Sequence, residues 1–226
     1  MRGMPKFQFQ AIYDLFSQEF IHKLHNYRKC REVAEELDHF PEARHILEVG
    51  TAEGFLLRYM LRNRCIDSAV GYDIRPVRIG KAIQRARDEN LDDRLTFLVG
   101  DGKTLPFQDG SFDETLLPHV LEHVPTREQI RFLIMEALRV SIYGILIALP
   151  LRDSHRPVLR WSKYLDPDHL HGLLKYGNGW IYHAESVERF FRGMGLDYAR
   201  SEANDRVYRI LKFPAQSGTK RSSLSL

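Results

Sequence analysis

Glu48-Val49-Gly50-Thr51-Ala52-Glu53-Gly54 is the stretch on which the reading of this chain turns. It continues a short apolar run that starts at His45, and the glycines at 50 and 54 let the backbone turn sharply from a strand into a helix and come close to a ligand. A strand that closes in this way belongs at the start of a β-α-β series, and open α/β sheets take their ligands at the carboxyl ends of the strands. Counted as a dinucleotide fingerprint GxGxxG, the segment fails, because a run begun at Gly50 needs glycines where Ala52 and Phe55 stand. Counted as acidic-x-Gly-x-Gly-x-Gly it fits at 48, 50 and 54, and only Ala52 departs, by one methyl group.

Downstream the alternation continues. A helix is predicted over 54–64, a strand over 69–73, a helix opened by Pro76 at a favoured first-turn position, and a strand over 95–99. Residues 112–117 give a fourth strand. Thr126 and Gln129 read as a capping box before a helix carrying Ile130, Leu133, Ile134, Ala137 and Leu138, and 143–149 is the fifth strand. This order predicts an α/β fold with a doubly wound, mostly parallel seven-stranded sheet and right-handed crossovers. A helix through Val187, Phe190, Phe191 and Met194 ends at Gly193 and Gly195, and strands over 196–203 and 207–213 close the sheet as an antiparallel hairpin about Asn204-Asp205.

Upstream, Phe9, Ile12, Tyr13, Phe16 and Phe20 recur at helical spacing, and Tyr27, Cys30, Ala34 and Leu37 repeat the pattern. The expected organisation is a helical cap over 1–44, one domain over 45–213 with a lid insertion at 151–182, and a disordered tail over 214–226. No internal repeat is seen.

Composition bounds the function. The 226 residues carry 33 basic and 30 acidic side chains, a net charge of +3, interleaved along the chain, so bulk nucleic-acid binding is not expected. The longest nearly apolar run, 144–151, is far too short for a membrane helix, and the expected location is the cytoplasm. Cys30 and Cys65, with no CxxC, read as reduced thiols rather than redox or metal ligands.

The 48–54 segment resembles motif I of the class I S-adenosylmethionine-dependent methyltransferases, in particular the small-molecule, type 11-like group. Asp73 stands at the end of the second strand, where that family keeps an acid for the ribose hydroxyls. Gly100-Asp101-Gly102, Leu105-Pro106-Phe107 and Asp109-Gly-Ser-Phe112-Asp113 are similar to its "GDA…LPF…DxSFD" stretch, and His119-Val-Leu-Glu-His123-Val to its "xVLEHV". The resemblance implies S-adenosylmethionine as cofactor and S-adenosylhomocysteine as product. It also implies cofactor contacts from Glu48, Gly50, Ala52, Gly54, Asp73, Ile74, Asp101, Gly102 and His119. Independently of the family, N–H groups at a helix start suit a carboxylate, and carboxylates at strand ends suit hydroxyl and amine donors.

A histidine is the usual acceptor for a nucleophile's proton, and His119, with His123 one turn on, is the candidate base. Within the lid, Asp166-Pro-Asp168-His169-Leu-His171 followed by Tyr182-His183-Ala-Glu185 resembles a pattern of methyltransferases acting on glycoconjugate sugars. His169 and His183 are therefore expected acceptor contacts, joined by Arg156 from the basic stretch Arg152, Arg156, Arg160 and Lys163, which suits an anionic substrate, and by Tyr13 of the aromatic first helix, which suits an apolar one, with no metal ion required. Arg78, Lys81 and Arg85 share a helix face and read as solvated. The expected activity is methyl transfer to a small molecule or glycoconjugate, at oxygen. The alternatives are a quinone, lipid or other carbon or nitrogen acceptor, or a binding module without catalysis. A homodimer is left open.

Overall fold

A computed structural model describes residues 33–37, 42–63, 65–151 and 182–212. Its sheet is built from β1 (His45–Val49), β2 (Ser68–Asp73), β3 (Leu95–Val99), β4 (Phe112–Pro118), β5 (Ser141–Ala148), β6 (Tyr198–Arg200) and β7 (Val207–Leu211). The helices are α1 (Phe55–Arg62), α2 (Pro76–Asp88), α3 (Arg127–Val140) and α4 (Ala184–Gly193), with a 3₁₀ turn at Leu121–His123. A helical stretch at 33–37 is what the described residues retain of the expected amino-terminal cap.

The strands lie in the order β3-β2-β1-β4-β5-β7-β6. The first five are parallel, β7 runs antiparallel to β5, and β6 pairs antiparallel to β7. The chain winds outward from β1 in both directions, so β1 and β4 flank the switch point where such sheets form a ligand crevice.

Both faces of the sheet are buried, which is why its central strands read as continuous apolar runs rather than as alternating ones. Ile46, Leu116 and Leu146 pack towards Leu57, Met60, Ile79 and Ala82 of α1 and α2. Their neighbours Leu47, Leu117, Ile145 and Ile147 face Ile134, Ala137, Val187 and Phe191 of α3 and α4. The two-residue period of the strand therefore divides one run of side chains between two cores.

Several boundaries differ from the sequence expectation for local reasons. The predicted strand over 196–203 shrinks to Tyr198–Arg200 because Leu196 gives its N–H to Phe191 O at 3.1 Å, closing α4. Ser201 Oγ receives Asn204 N–H at 2.9 Å and starts the turn. At the other side, β5 begins two residues early, directly after α3, since Ser141 Oγ caps the helix by donating to Ala137 O at 2.7 Å. Of the predicted capping box, the Thr126 half forms: its hydroxyl accepts from Gln129 N–H at 3.2 Å.

Candidate active site at the strand ends

The glycine loop is held by β2. Gly50 and Thr51 N–H groups both reach Tyr72 O, at 2.7 and 3.2 Å, and Ala52 N–H reaches Asp73 Oδ2 at 2.8 Å. Three loop residues have left-handed backbone, Gly50 at φ 78°, Ala52 at 51° and Gly54 at 66°, and Gly54 lies outside α1 as its cap rather than within it. Ala52 thus takes a conformation that costs an L-residue about 1–2 kcal/mol, which explains why glycine would be the easier residue there.

Glu48 is buried beneath the loop and its Oε2 accepts the Thr51 hydroxyl at 2.6 Å. Burial pushes its carboxyl up to about 7; the Thr51 bond opposes the shift and the charge of Asp73 adds to it. Its contacts are with the loop. Glu53, which the sequence reading did not single out, faces Lys81 Nζ at 3.5 Å and also pairs with Arg85, while its carbonyl accepts Arg58 Nη1 at 2.6 Å. Lys81 and Arg85 are therefore not merely a solvated face, as their spacing had implied; they anchor the loop from α2.

Asp73 is buried at the end of β2, where Oδ1 accepts the backbone N–H and Nε of Arg75 at 2.9 and 3.2 Å. Burial alone would raise its pKa, but the Arg75 and Ala52 hydrogen bonds and the Arg75 charge outweigh it and hold the carboxyl below its usual value. Beside it Ile74 is 62% exposed, and Val99, the register partner of Asp73 on β3, is 51% exposed, so two apolar side chains stand in solvent at adjacent strand ends. Asp101 follows, exposed, accepting Lys103 N–H at 3.1 Å. Glycine suits position 100, because a Cβ there would overlap the hydroxyl and ring of the buried Tyr72, so this turn packs directly on β2.

The segment after β4 abuts the loop. A Cβ on Gly50 would come within 2.8 Å of Val120 Cγ2, so residue 120 packs directly on the glycine turn. His119, its neighbour, has φ 56° and extends the ladder by giving its N–H to Ala148 O at 2.9 Å. His119 Nδ1 lies 3.2 Å from Glu122 Oε1. His123 ends the 3₁₀ turn, and its N–H goes to Val120 O at 3.0 Å.

Arg139 of α3 holds the Leu105-Pro106-Phe107 stretch. Its guanidinium donates to Leu105 O, Phe107 O and Asp109 Oδ1 at 3.0, 2.8 and 2.8 Å, and to both oxygens of Glu136. His183 stands at the N-cap position of α4 with no side-chain bond to the helix, after Tyr182, whose hydroxyl donates to Leu121 O at 3.1 Å. Tyr13, Arg156 and His169, with the other lid histidines, lie outside the described residues. Glu48, Gly50, Ala52, Gly54, Asp73, Ile74, Asp101, Gly102 and His119 gather along the carboxyl ends of β1–β4, while His183 joins the flank at α4.

Residues 47–147 match the family described as "Methyltransferase domain". This part of the chain is a class I methyltransferase domain. Ajmaline N-methyltransferase from Rauvolfia serpentina is 30% identical to the chain over 135 residues, covering 60% of it and 45% of the relative. Erythromycin 3''-O-methyltransferase from Saccharopolyspora erythraea is 32% identical over 115 residues, covering 50% and 38%. The chain thus spans less than half the length of these curated relatives. A SAM-dependent methyltransferase from Aquifex aeolicus shares the fold with a TM-score of 0.54 at 16% identity, over 80% of this chain and 87% of that one.

The methyltransferase domain implies S-adenosylmethionine as cofactor, and the residues present suit it. Two carboxylates, Asp73 and Asp101, flank two solvent-facing apolar side chains, Ile74 and Val99, which is the hydrogen-bond-accepting and apolar chemistry a nucleoside needs. Among the described residues no helix is long and apolar enough to cross a membrane.

Proposed function

We propose that the chain methylates a small-molecule or glycoconjugate acceptor at oxygen, with His119 as the base. The observation that carries this reading is the packing of Val120 on Gly50, which sets His119 beside the cofactor loop at the switch point between β1 and β4. In this reading Asp73 takes the ribose hydroxyls, Asp101 the adenine amine, and Ile74 and Val99 cover the base. The loop N–H groups from Gly50 to Gly54 take the carboxylate.

Bound S-adenosylmethionine supplies a methyl group already activated by its sulfonium. The chain's own task is then to hold the acceptor oxygen in line with that carbon and to receive the acceptor's proton at the His119 ring. Room for an acceptor exists next to this segment. A cavity of about 340 Å³ between α3 and α4 is lined by Leu121, Ile130, Leu149, Tyr182 and Phe190, with Arg127 in its wall. That mixture suits an apolar body carrying a polar or anionic group. The lid residues Arg156 and His169, with His183 at the start of α4, complete the acceptor side in this reading.

Nitrogen is the second reading, favoured by the resemblance to an N-methyltransferase. Incubation of the full chain with radiolabelled S-adenosylmethionine and a panel of phenols, sugar alcohols and amines decides between them. Label transfer to hydroxyl compounds is the expected result. Transfer only to amines would replace oxygen by nitrogen, and tight binding of NAD in place of S-adenosylhomocysteine would overturn the reading altogether.

A further inference from the structure

Glu122 is a buried carboxylate that the reading above does not use. It is 8% exposed, Oε1 meets His119 Nδ1 at 3.2 Å, and Oε2 is buried without a hydrogen-bond partner. The backbone produces this meeting. The left-handed turn at His119 and the bonds His123 N–H to Val120 O and Val124 N–H to Leu121 O wind the segment tightly, and residues three apart are neighbours in such a turn. Tyr182, just ahead of α4, holds the same segment by donating its hydroxyl to Leu121 O.

An ionised carboxylate can only accept hydrogen bonds, so its partner nitrogen must carry the proton. Burial opposes ionisation of Glu122, but the hydrogen bond and charge of His119, then its own backbone N–H and the charge of His123, outweigh it and hold the carboxyl below its usual value. The phenol of Tyr182 registers the same negative charge: burial first, and Glu122 second, push it up to about 12.

We infer that Glu122 is a positioning residue for His119. Its carboxylate fixes the tautomer with the proton on Nδ1 and leaves Nε2 as the ring nitrogen with the lone pair. When the acceptor's proton moves to Nε2, the imidazolium that forms keeps its Nδ1–H on Glu122, whose charge offsets the new positive one. This rests on the reading of His119 as the base, and extends it by naming what gives that ring its basic face.

The test is nitrogen NMR on the ¹⁵N-histidine-labelled full chain with S-adenosylhomocysteine added, the His119 signals being assigned by their loss in His119→Gln. In the wild type the neutral ring is mostly protonated at Nδ1. Glu122→Gln, which keeps an acceptor oxygen, retains that tautomer, whereas Glu122→Leu shifts most molecules to Nε2–H. A wild-type ring protonated at Nε2, or a folded Glu122→Leu that keeps Nδ1–H, overturns the inference without touching the base reading.

Turnover separates the two claims, using whichever hydroxyl compound of the panel accepts label. Glu122→Gln lowers kcat about tenfold with KM changed less than about twofold, and adds nothing once His119 is alanine. An equal loss in both backgrounds makes Glu122 a packing residue and overturns the inference alone. Unchanged turnover in His119→Ala overturns the base reading and the inference with it.

Discussion

The backbone N–H of Ala52 donates to Asp73 Oδ2 across 2.8 Å, joining the tip of the glycine loop to the acid at the end of the neighbouring strand. Asp73 therefore has two tasks in the proposed site: its carboxylate supports the loop and faces the ribose position. Asp73→Ala should weaken S-adenosylhomocysteine binding more than about tenfold, because charge-assisted hydrogen bonds and the loop support are lost together and about 1.4 kcal/mol is already tenfold. Asp73→Asn, which still accepts from Ala52, should lose less. Isothermal titration measures both, and equal losses would show that loop support does not depend on that oxygen.

Ala52 itself offers a separate check on the loop. At φ 51° glycine relieves strain but adds freedom to the unfolded chain, and these effects are of similar size, about 1 kcal/mol each. Ala52→Gly should leave the melting temperature within about 3 °C of the wild type. Ala52→Val should lower stability by about 2 kcal/mol, since a β-branched residue is an outlier in this conformation. Thermal melts of the three proteins read the difference; a Val variant as stable as the wild type would mean that the loop adopts another backbone.

Much of the candidate site is legible in the sequence. Gly50, Gly54, Asp73 and Asp101 are strand-end residues, and strand ends are marked in sequence by where an apolar run stops. Contacts between elements left no such mark. Lys81 and Arg85 show a helical face by their spacing, but nothing local says that Glu53, 28 and 32 positions earlier, faces them. Arg139 reaches back more than 30 positions to Leu105 and Phe107 in the same way. The approach of His119 and Glu122 depends on the 3₁₀ turn after β4, which brings residues three apart together and is not visible in periodicity.

Glu48 predicts a pH dependence with a definite sign. Its carboxyl is raised from 4.5 to about 7 by burial, with Asp73 adding and Thr51 opposing, so the folded state holds a proton that the unfolded state has released between those values. Stability from this group is full below about pH 4.5 and is lost as pH rises through about 7. The loss is on the order of 3 kcal/mol. Glu48→Gln keeps an acceptor for Thr51 and cannot ionise. Denaturant unfolding at pH 5 and pH 8 should show the variant gaining on the wild type by that amount at the higher pH, and a constant difference would place the Glu48 titration elsewhere.

Arg139 tests whether the 105–109 stretch supports the cofactor side of the site. Its planar fork is matched by Leu105 O, Phe107 O, Asp109 and Glu136, and Glu136 Oε2 in turn accepts Leu105 N–H at 3.0 Å. A lysine has one compact donor group and cannot reproduce five bonds in a plane. Arg139→Lys should cost about 1–2 kcal/mol of stability, and Arg139→Ala, which also leaves two carbonyls and the Glu136 carboxylate short of a donor, about 2–3 kcal/mol. Because the loosened stretch begins four positions after Asp101, S-adenosylhomocysteine affinity should fall severalfold, and saturating ligand should restore part of the lost melting temperature. Calorimetry with and without ligand measures this. If the variants are destabilised while ligand affinity stays at the wild-type value, the Leu105-Pro106-Phe107 stretch serves the fold alone and Asp101 is positioned without it.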